Sequence, residues 1–268
     1  MSLELSTDEL LFERRGPEGR IGWVTFNRPQ ARNALTFAMY EGVRQVAEEA
    51  NRDRSIRALV FSGAGGRAFA AGTDISQFRA FEKDEDALEY EERMDRVMDT
   101  LERARVPTVA AIQGACTGGG AGIAAACDLR ISSPSGRYGF PIARTLGNTL
   151  SMAGLARLAA LVGFARVKEL VFTARLLDAE EALAIGLFNE VTADEESLVP
   201  RAEELATTLA SHAPITLETV KEALRRIRQQ QLPPEGGSDL VVRAYMSRDF
   251  KEGVEAFLAK RPPRWRGE

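Results

Sequence analysis

The chain has 268 residues, 44% hydrophobic and 28% charged, with a formal net charge of -4 and a pI near 5.4. This length and composition suffice for a full hydrophobic core, and the acidic balance excludes the electrostatic pattern of a nucleic-acid-binding protein. No run approaches the roughly 18 apolar residues of a membrane span, and the first residues lack the pattern of a secretory signal, so we expect a cytoplasmic protein without membrane partners. Cys116 and Cys127 are expected to be buried thiols, and their spacing predicts no metal site.

The first part of the chain predicts alternating strands and helices. Residues 10–15 and 20–26 are β-prone runs around the turn GPEG, which predicts a hairpin. Apolar residues at helical spacing over 36–52 predict a helix with Thr36 as its N-cap. The later predicted elements are the strand ALVFSG, a glycine-rich loop, an acidic helix at 84–105, the strand TVAAIQG, a helix at 119–127 and the strand DLRIS. This alternation predicts an α/β fold with a largely parallel sheet.

From residue 150 onward the chain is predicted to be mostly helical. The helices are expected at 150–162, 164–173, 178–185, 195–211, 214–230 and 238–259, the last with a break near Ser247. We therefore expect an α/β core over residues 1–197 and a helical region over residues 198–268.

Two glycine-rich segments each follow a predicted strand. In RAFAAGTDI (67–75), small residues allow a ligand to approach main-chain N–H groups closely, although a tight surface turn is the alternative. The segment TGGGAGIAAACD (117–128) opens a helix, whose unpaired first N–H groups and positive dipole end suit an oxyanion. Close packing against a strand is its alternative, but each helical glycine costs roughly 1 kcal/mol relative to alanine, which favours a further use. Two such N–H donors aimed at one developing charge would form an oxyanion hole.

These two segments, together with NRPQARNAL (27–35) and FLAKRPPRW (257–265), resemble the crotonase superfamily, also called the enoyl-CoA hydratase/isomerase family. The resemblance follows the family's order over nearly the whole chain. It implies a spiral of ββα units with a C-terminal helical trimerisation region, in a homotrimer or a dimer of trimers. It also implies an acyl-CoA thioester as the ligand, with coenzyme A as part of the substrate and no permanently bound cofactor.

The resemblance also implies roles for individual residues. The two oxyanion donors of the family correspond to the main-chain N–H groups of Thr73 and Gly119. The positions implied for coenzyme A binding are Gln30, where many relatives carry a lysine, and Arg32, Arg67, Ala71, Asp74, Ile75 and, from a neighbouring subunit, Lys260. Asp74 is in addition a candidate acid.

The acids of the family's hydratases are missing from this chain. Relatives that hydrate an enoyl-CoA resemble one another in using two glutamates, which correspond here to Gly122 and to Ile142 or Ala143. None of these residues exchanges a proton, so we expect ordinary hydration to be slower by at least about 10²- to 10⁴-fold. Two other titratable residues are weak substitutes: Asp128 is expected to be structural, and His212 lies in the helical region.

Polar residues after the second missing glutamate are the remaining candidates, together with a carboxylate from the acidic helix. Arg144 is predicted to bind a substrate carboxylate or to polarise a carbonyl. Asn148, Thr149 and Ser151 are candidates for catalysis and equally for helix N-capping. We therefore expect an acyl-CoA enzyme that stabilises a thioester enolate, as a decarboxylase, isomerase or C–C lyase more than as an ordinary hydratase. A non-catalytic or weakly catalytic acyl-CoA-binding protein is the alternative.

Overall fold

The computed structural model describes residues 3, 5, 7–234 and 236–268. The strands are β1 (Leu10–Arg15), β2 (Ile21–Phe26), β3 (Ala58–Gly63), β4 (Ala68–Ala70), β5 (Thr108–Ile112), β6 (Ala115–Thr117), β7 (Leu129–Ser132), β8 (Arg137–Gly139), β9 (Leu177–Asp178) and β10 (Glu190–Val191). The helices are α1 (Phe37–Arg52), α2 (Asp84–Glu102), α3 (Gly119–Ala126), α4 (Ile142–Thr145), α5 (Met152–Thr173), α6 (Ala179–Ala184), α7 (Leu198–Ser211), α8 (Pro214–Gln229), α9 (Ser238–Tyr245) and α10 (Arg248–Leu258).

The larger sheet has the strand order β1-β2-β3-β5-β7-β10. The predicted hairpin is confirmed, since β1 and β2 pair antiparallel with Leu10 opposite Phe26. The pairs from β2 through to β10 are parallel, which confirms the predicted α/β class. The inner strands β2, β3 and β5 are buried on both faces, as parallel sheets require, so they are nearly continuous apolar runs.

Helix α7 covers one face of the larger sheet. Its buried residues are spaced four apart, and Ala202 and Ala206 belong to the same apolar cluster as Trp23 and Val60. Small alanine side chains let the helix pack closely against the strands. The first helix after the predicted boundary at 197/198 thus shares a core with the sheet, and the boundary itself stays a prediction.

A smaller sheet, which the sequence pattern did not predict, positions the glycine-rich segments. Its strand order is β4-β6-β8-β9, and β4 runs parallel to β6 with Ala68 opposite Ala115. Strand β4 ends just before Gly72 and Thr73, and β6 ends just before Gly118 and Gly119. Parallel strands end at the same edge of a sheet, where ligands commonly bind, so both segments lie at one edge.

The predicted helix boundaries are largely confirmed. Thr36 caps α1 by accepting a hydrogen bond from the amide of Met39. Gly163, with φ of 77°, interrupts α5 where the sequence predicts two helices, and Ser247 separates α9 from α10. No helix among the described residues combines the length and the apolarity needed to cross a bilayer.

Candidate active site

The two glycine-rich turns are in direct contact. Gly72 and Gly118 have φ of +110° and +52°, a region that L side chains rarely adopt, and a Cβ added to Gly118 would lie 3.4 Å from Cα of Gly72. The next residues along the chain are Thr73 and Gly119. Within the described residues, the main-chain N–H groups of these two residues donate to no protein acceptor. The structure therefore brings together the two N–H groups that the sequence predicts as oxyanion donors.

Thr73 and Gly119 line a cavity of about 560 Å³. This volume is in the range of roughly 300 to 1,000 Å³ that ligand pockets usually have. Its apolar wall comes from several helices and loops and includes Phe78, Met94, Met98, Phe140, Leu150 and Leu158. Such a wall suits an acyl chain, with the two N–H groups as polar contacts at one side.

Helix α2 contributes a carboxyl group to this cavity. Glu91 lines the cavity and accepts a hydrogen bond of 2.5 Å from the hydroxyl of Tyr245, which in turn accepts one of 3.0 Å from Nδ2 of Asn148. Burial raises the pKa of Glu91 to about 7; the Tyr245 hydrogen bond opposes this rise, whereas the charge of Asp95 adds to it. A carboxyl that gains and loses protons near neutral pH is suited to general acid–base catalysis.

A second carboxyl follows one helical turn later. Asp95 lines the same cavity and accepts a hydrogen bond of 2.7 Å from Oγ of Ser151. Burial raises the pKa of Asp95, while the Ser151 hydrogen bond and the charge of Arg157 oppose the rise. Residues four apart on a helix share a face, so Glu91 and Asp95 form a pair of carboxyls on one wall of the cavity.

Two phenols surround the side chain of Thr73. The hydroxyls of Tyr40 and Tyr90 lie 2.8 and 3.0 Å from Oγ1 of Thr73, and all three residues line the cavity. Burial raises the pKa of both phenols, so both are protonated at neutral pH. A Cβ added to Gly119 would overlap with the hydroxyl oxygen of Tyr40, which explains why this position requires glycine.

Two of the positions that the family resemblance pairs with the hydratase glutamates also lie at the cavity. Gly122 and Ile142 line it, whereas Ala143 is exposed and outside it, so the geometry favours Ile142 over Ala143 as the predicted counterpart of the second glutamate. A Cβ added to Gly122 would lie 3.3 Å from Cε of Met98. A methionine of α2 therefore packs beside the position that the resemblance pairs with the first glutamate.

The candidates at 144–151 divide into two groups. Asn148, Thr149 and Ser151 line the cavity, and Ser151 also caps α5 by accepting from the amide of Gly154. Arg144 is exposed on the single-turn helix α4 and is not part of the cavity wall. Ile142, two residues earlier, is buried, so Arg144 projects from the other side of the helix. The geometry therefore gives no support to the hypothesis that Arg144 binds a substrate carboxylate.

The residues implied for coenzyme A binding also fall into two groups, those that line the cavity and those that lie outside its wall. Arg32, Ala71, Asp74 and Ile75 line the cavity. Outside the cavity wall are the exposed side chains of Gln30, Arg67 and Lys260. Their implied contacts with a phosphate stay predictions.

Asp74 has a structural role. Its carboxylate accepts hydrogen bonds from Ser76 and lies 3.2 Å from the guanidinium of Arg28. Burial alone would raise the pKa of Asp74, but these hydrogen bonds outweigh it and the pKa is lowered. A carboxylate that is ionised and fully engaged in this way is a poor candidate for the catalytic acid.

Four further residues are placed as the sequence predicts. Asp128 accepts hydrogen bonds from the amide and hydroxyl of Thr108 at 2.8 and 2.9 Å, which confirms a structural role at the start of β7. His212 is exposed at the end of α7, away from the cavity wall. Cys116 and Cys127 are buried free thiols.

Sequence reasoning missed Glu91 and Asp95 as individual residues, although the signal was present. The buried face of α2 consists of Ala87, Tyr90, Met94, Val97, Met98 and Leu101. Glu91 and Asp95 each follow one of these apolar positions directly, so the helical period places both acids at the margin of the buried face. Acids at the margin of an apolar face, in a helix where most charges are solvated, are the pattern that identifies them.

Comparison with known proteins agrees with this geometry. The sequence profile described as Enoyl-CoA hydratase/isomerase matches residues 17–268. A short-chain-enoyl-CoA hydratase of Clostridium acetobutylicum is 35% identical, with 91% of this chain and 93% of that protein covered.

Solved structures are similar over the full length. An enoyl-CoA hydratase/carnithine racemase from Magnetospirillum magneticum has a TM-score of 0.78 at 33% identity, covering 98% of this chain and 97% of that one. A methylmalonyl-CoA decarboxylase complexed with 2S-carboxypropyl CoA has a TM-score of 0.86 at 25% identity, covering 98% and 100%. The resemblance and the crotonase fold are thereby confirmed, and the trimerisation region stays a prediction. The chain has the crotonase fold and belongs to the enoyl-CoA hydratase/isomerase family.

Proposed function

We propose that this protein shifts the double bond of an enoyl-CoA thioester by moving one proton along the acyl chain. Glu91 is the acid–base group, and the N–H groups of Thr73 and Gly119 bind the thioester oxygen. The observation that carries this proposal is the position of Glu91, a half-buried carboxyl with a pKa near 7 in the wall of the cavity that both N–H groups line.

The proposed reaction needs only one proton carrier. The carboxylate of Glu91 removes a proton from the carbon next to the thioester, and the electron pair moves onto the thioester oxygen to give a dienolate. The two N–H groups stabilise this negative charge; by analogy with other oxyanion holes, each contributes about 2.7 to 4 kcal/mol. Protonated Glu91 then returns the proton at the far end of the dienolate, so that no atom is gained or lost.

Hydration of the double bond is the second candidate. Oδ1 of Asn148 is buried and has no hydrogen-bond partner within the described residues. Asn148 is linked through Tyr245 to Glu91, so a water molecule that donates to Oδ1 would lie close to the acid–base group. Asp95 supplies a second carboxyl, as a hydration mechanism with two acids requires. Relatives such as the Clostridium acetobutylicum protein are named hydratases.

Decarboxylation and C–C cleavage have less support. A structurally similar protein is a methylmalonyl-CoA decarboxylase, but the arginine expected to bind a substrate carboxylate here, Arg144, lies outside the cavity wall. Both reactions therefore lack a residue of this chain that favours them over proton transfer.

The proposal is tested with the Glu91→Gln variant and a matched control, Glu92→Gln. Glu92 is the next residue of α2, but its side chain is 72% exposed. With 3-hexenoyl-CoA as the substrate, we expect Glu91→Gln to lower isomerase kcat by about 10²- to 10⁴-fold and Glu92→Gln to leave it unchanged.

Crotonyl-CoA, assayed in parallel, separates the two candidate reactions. Hydration of crotonyl-CoA that exceeds isomerisation and depends on Glu91 would favour the second candidate. Full activity of Glu91→Gln on both substrates contradicts the proposal. Binding of both thioesters by the wild-type protein without turnover favours the non-catalytic alternative.

A trimeric assembly, alone or as a dimer of trimers, is the proposed quaternary structure. Large apolar side chains are exposed on α5 and α8, namely Phe164, Phe172, Ile215, Leu224 and Ile227. Exposed apolar groups of this size are typical of interaction surfaces. Sedimentation velocity on the wild-type protein and on Leu224→Glu tests this: a trimer that dissociates in the variant is expected, and a wild-type monomer contradicts it.

A further inference from the structure

We infer that the side-chain hydroxyl of Thr73 is a third hydrogen-bond donor to the thioester oxygen, held in place by the phenols of Tyr40 and Tyr90. The inference rests on the proposed enolate site and adds to it: Thr73 would contribute its side chain as well as its main-chain N–H group.

The three hydroxyls have one more hydrogen than their mutual contacts use. The hydroxyls of Tyr40, Thr73 and Tyr90 carry one hydrogen each, and they are joined by two contacts of 2.8 and 3.0 Å through Oγ1 of Thr73. Each contact uses one hydrogen, so one of the three remains. Within the described residues, none of these hydroxyls has a further hydrogen-bond partner.

The relative acidity of the three hydroxyls decides which of them keeps the unused hydrogen. A phenol is more acidic than an aliphatic alcohol and is therefore the better donor and the poorer acceptor. Both phenols thus donate to Oγ1 of Thr73, which has two lone pairs to accept them. The remaining hydrogen belongs to Thr73.

The position of the Thr73 hydroxyl also suits a donor to the thioester oxygen. Oγ1 of Thr73 lies 3.0 Å from the point where a Cβ of Gly119 would be, so it is close to both main-chain donors. Thr73, Tyr40 and Tyr90 are all buried, and all three line the cavity. A buried donor that has no protein acceptor is destabilising until a ligand oxygen accepts its hydrogen bond. The developing negative charge on a thioester oxygen is the acceptor that gains most from such a donor.

The test compares Thr73→Val, which replaces the hydroxyl by a methyl group of similar size, with Thr73→Ser, which keeps the hydroxyl. Both variants keep the main-chain N–H. Acetoacetyl-CoA is the probe, because its enolate absorbs ultraviolet light and reports directly on stabilisation of the charged oxygen. We expect Thr73→Val to lower the ratio of bound enolate to bound ketone, and kcat, by about 10²-fold with KM unchanged, whereas Thr73→Ser stays close to wild type.

The outcomes separate this inference from the proposed function. Loss of turnover in Glu91→Gln with the enolate absorbance retained supports both proposals. If Thr73→Val keeps the wild-type enolate absorbance and kcat, the inference is overturned while Glu91 keeps its role. If Glu91→Gln keeps full turnover but Thr73→Val loses the absorbance, the proposed function fails and the inference stands.

Tyr40→Phe and Tyr90→Phe give a second test in case Thr73→Val does not fold. Each removes one phenol that positions the Thr73 hydroxyl but leaves the hydroxyl itself. We expect a smaller loss of enolate absorbance and of kcat than in Thr73→Val, again with KM unchanged. An unchanged kcat and absorbance in both phenylalanine variants would overturn the inference.

Discussion

Glu91 is the residue whose ionisation controls the proposed chemistry. Besides burial, the groups that shift its pKa are the hydroxyl of Tyr245, the carboxyl of Asp95 and the main-chain N–H of Ser151, without a lysine or arginine among them. Because the carboxylate form is the base, we expect kcat to be low below the pKa of about 7 and to rise as the pH increases through it. A kcat profile between pH 5 and 9 checks this. The same rising limb in Glu91→Gln would assign it to another group.

The requirement for glycine at position 119 comes from a side chain in a distant part of the sequence. A Cβ at this position would overlap with the hydroxyl oxygen of Tyr40, whereas a Cβ at Gly122 would meet only the flexible end of Met98 at 3.3 Å. We therefore expect Gly119→Ala to lose enolate stabilisation and Gly122→Ala, on the same helix, to keep it. Titration of both variants with acetoacetyl-CoA measures this. Recovery of the double variant Gly119→Ala, Tyr40→Phe to the level of Tyr40→Phe alone would identify the overlap as the cause.

The site residues differ in how far the sequence reveals them. Thr73 and Gly119 are predicted because glycine patterns are local and match the family's motifs. Glu91 is different: the apolar period of α2 places it at the margin of the buried face, but which cavity this margin lines is decided by contacts between segments far apart in the chain. Arg144 is the opposite case, since a polar residue in the expected segment lies outside the cavity wall, on the side of α4 away from the buried Ile142.

Among the elements, helices are predicted well and the smaller sheet is not. Helices such as α1 and α7 are long enough for several turns of apolar periodicity, and Gly163 marks the interruption of α5. Strands β4, β6 and β8 have three residues each, too few for an alternating pattern. Their pairing is set by tertiary contacts, so the edge that carries the candidate site is visible only in the structure.

Glu102 connects three helices below the cavity. It lies on α2 and forms ion pairs with Arg157 of α5 at 3.0 Å and with Arg228 of α8 at 2.5 Å, and its side chain is 9% exposed. Removing one partner of a buried ion pair leaves an uncompensated charge, so we expect Glu102→Gln to lower the free energy of unfolding by about 3 to 5 kcal/mol. Urea denaturation measures the loss, with exposed Glu92→Gln as the control. A loss as small as the control's would show that the two arginines are solvated.

For the whole molecule, the raised pKa of Glu91 links stability to pH. The folded protein binds a proton at Glu91 more tightly than the unfolded chain, with a pKa of about 7 against 4.5. The stabilisation of the folded state by the proton on Glu91 is therefore complete below pH 4.5 and is lost as the pH rises through 7. Each pH unit between the two pKa values corresponds to 1.36 kcal/mol, so the loss amounts to about 3 kcal/mol. Urea denaturation of the wild type and Glu91→Gln at pH 5 and pH 8 should show it; an equal pH dependence in both contradicts the linkage.

The fold as a whole brings a charge-stabilising edge and a proton carrier to one cavity. The smaller sheet places the N–H groups of Thr73 and Gly119 together, and α2 places Glu91 in the wall of the same cavity. The proposed catalysis therefore depends on the two N–H groups and Glu91 acting on one thioester.

Deuterium exchange tests this dependence most directly. The protein is incubated with butyryl-CoA, which has no double bond to shift or hydrate, in D₂O, and the hydrogens next to the thioester are followed by NMR. We predict exchange catalysed by the wild type and by Glu92→Gln, and a rate about 10²- to 10⁴-fold lower in Glu91→Gln. Exchange at the wild-type rate in Glu91→Gln would contradict the account.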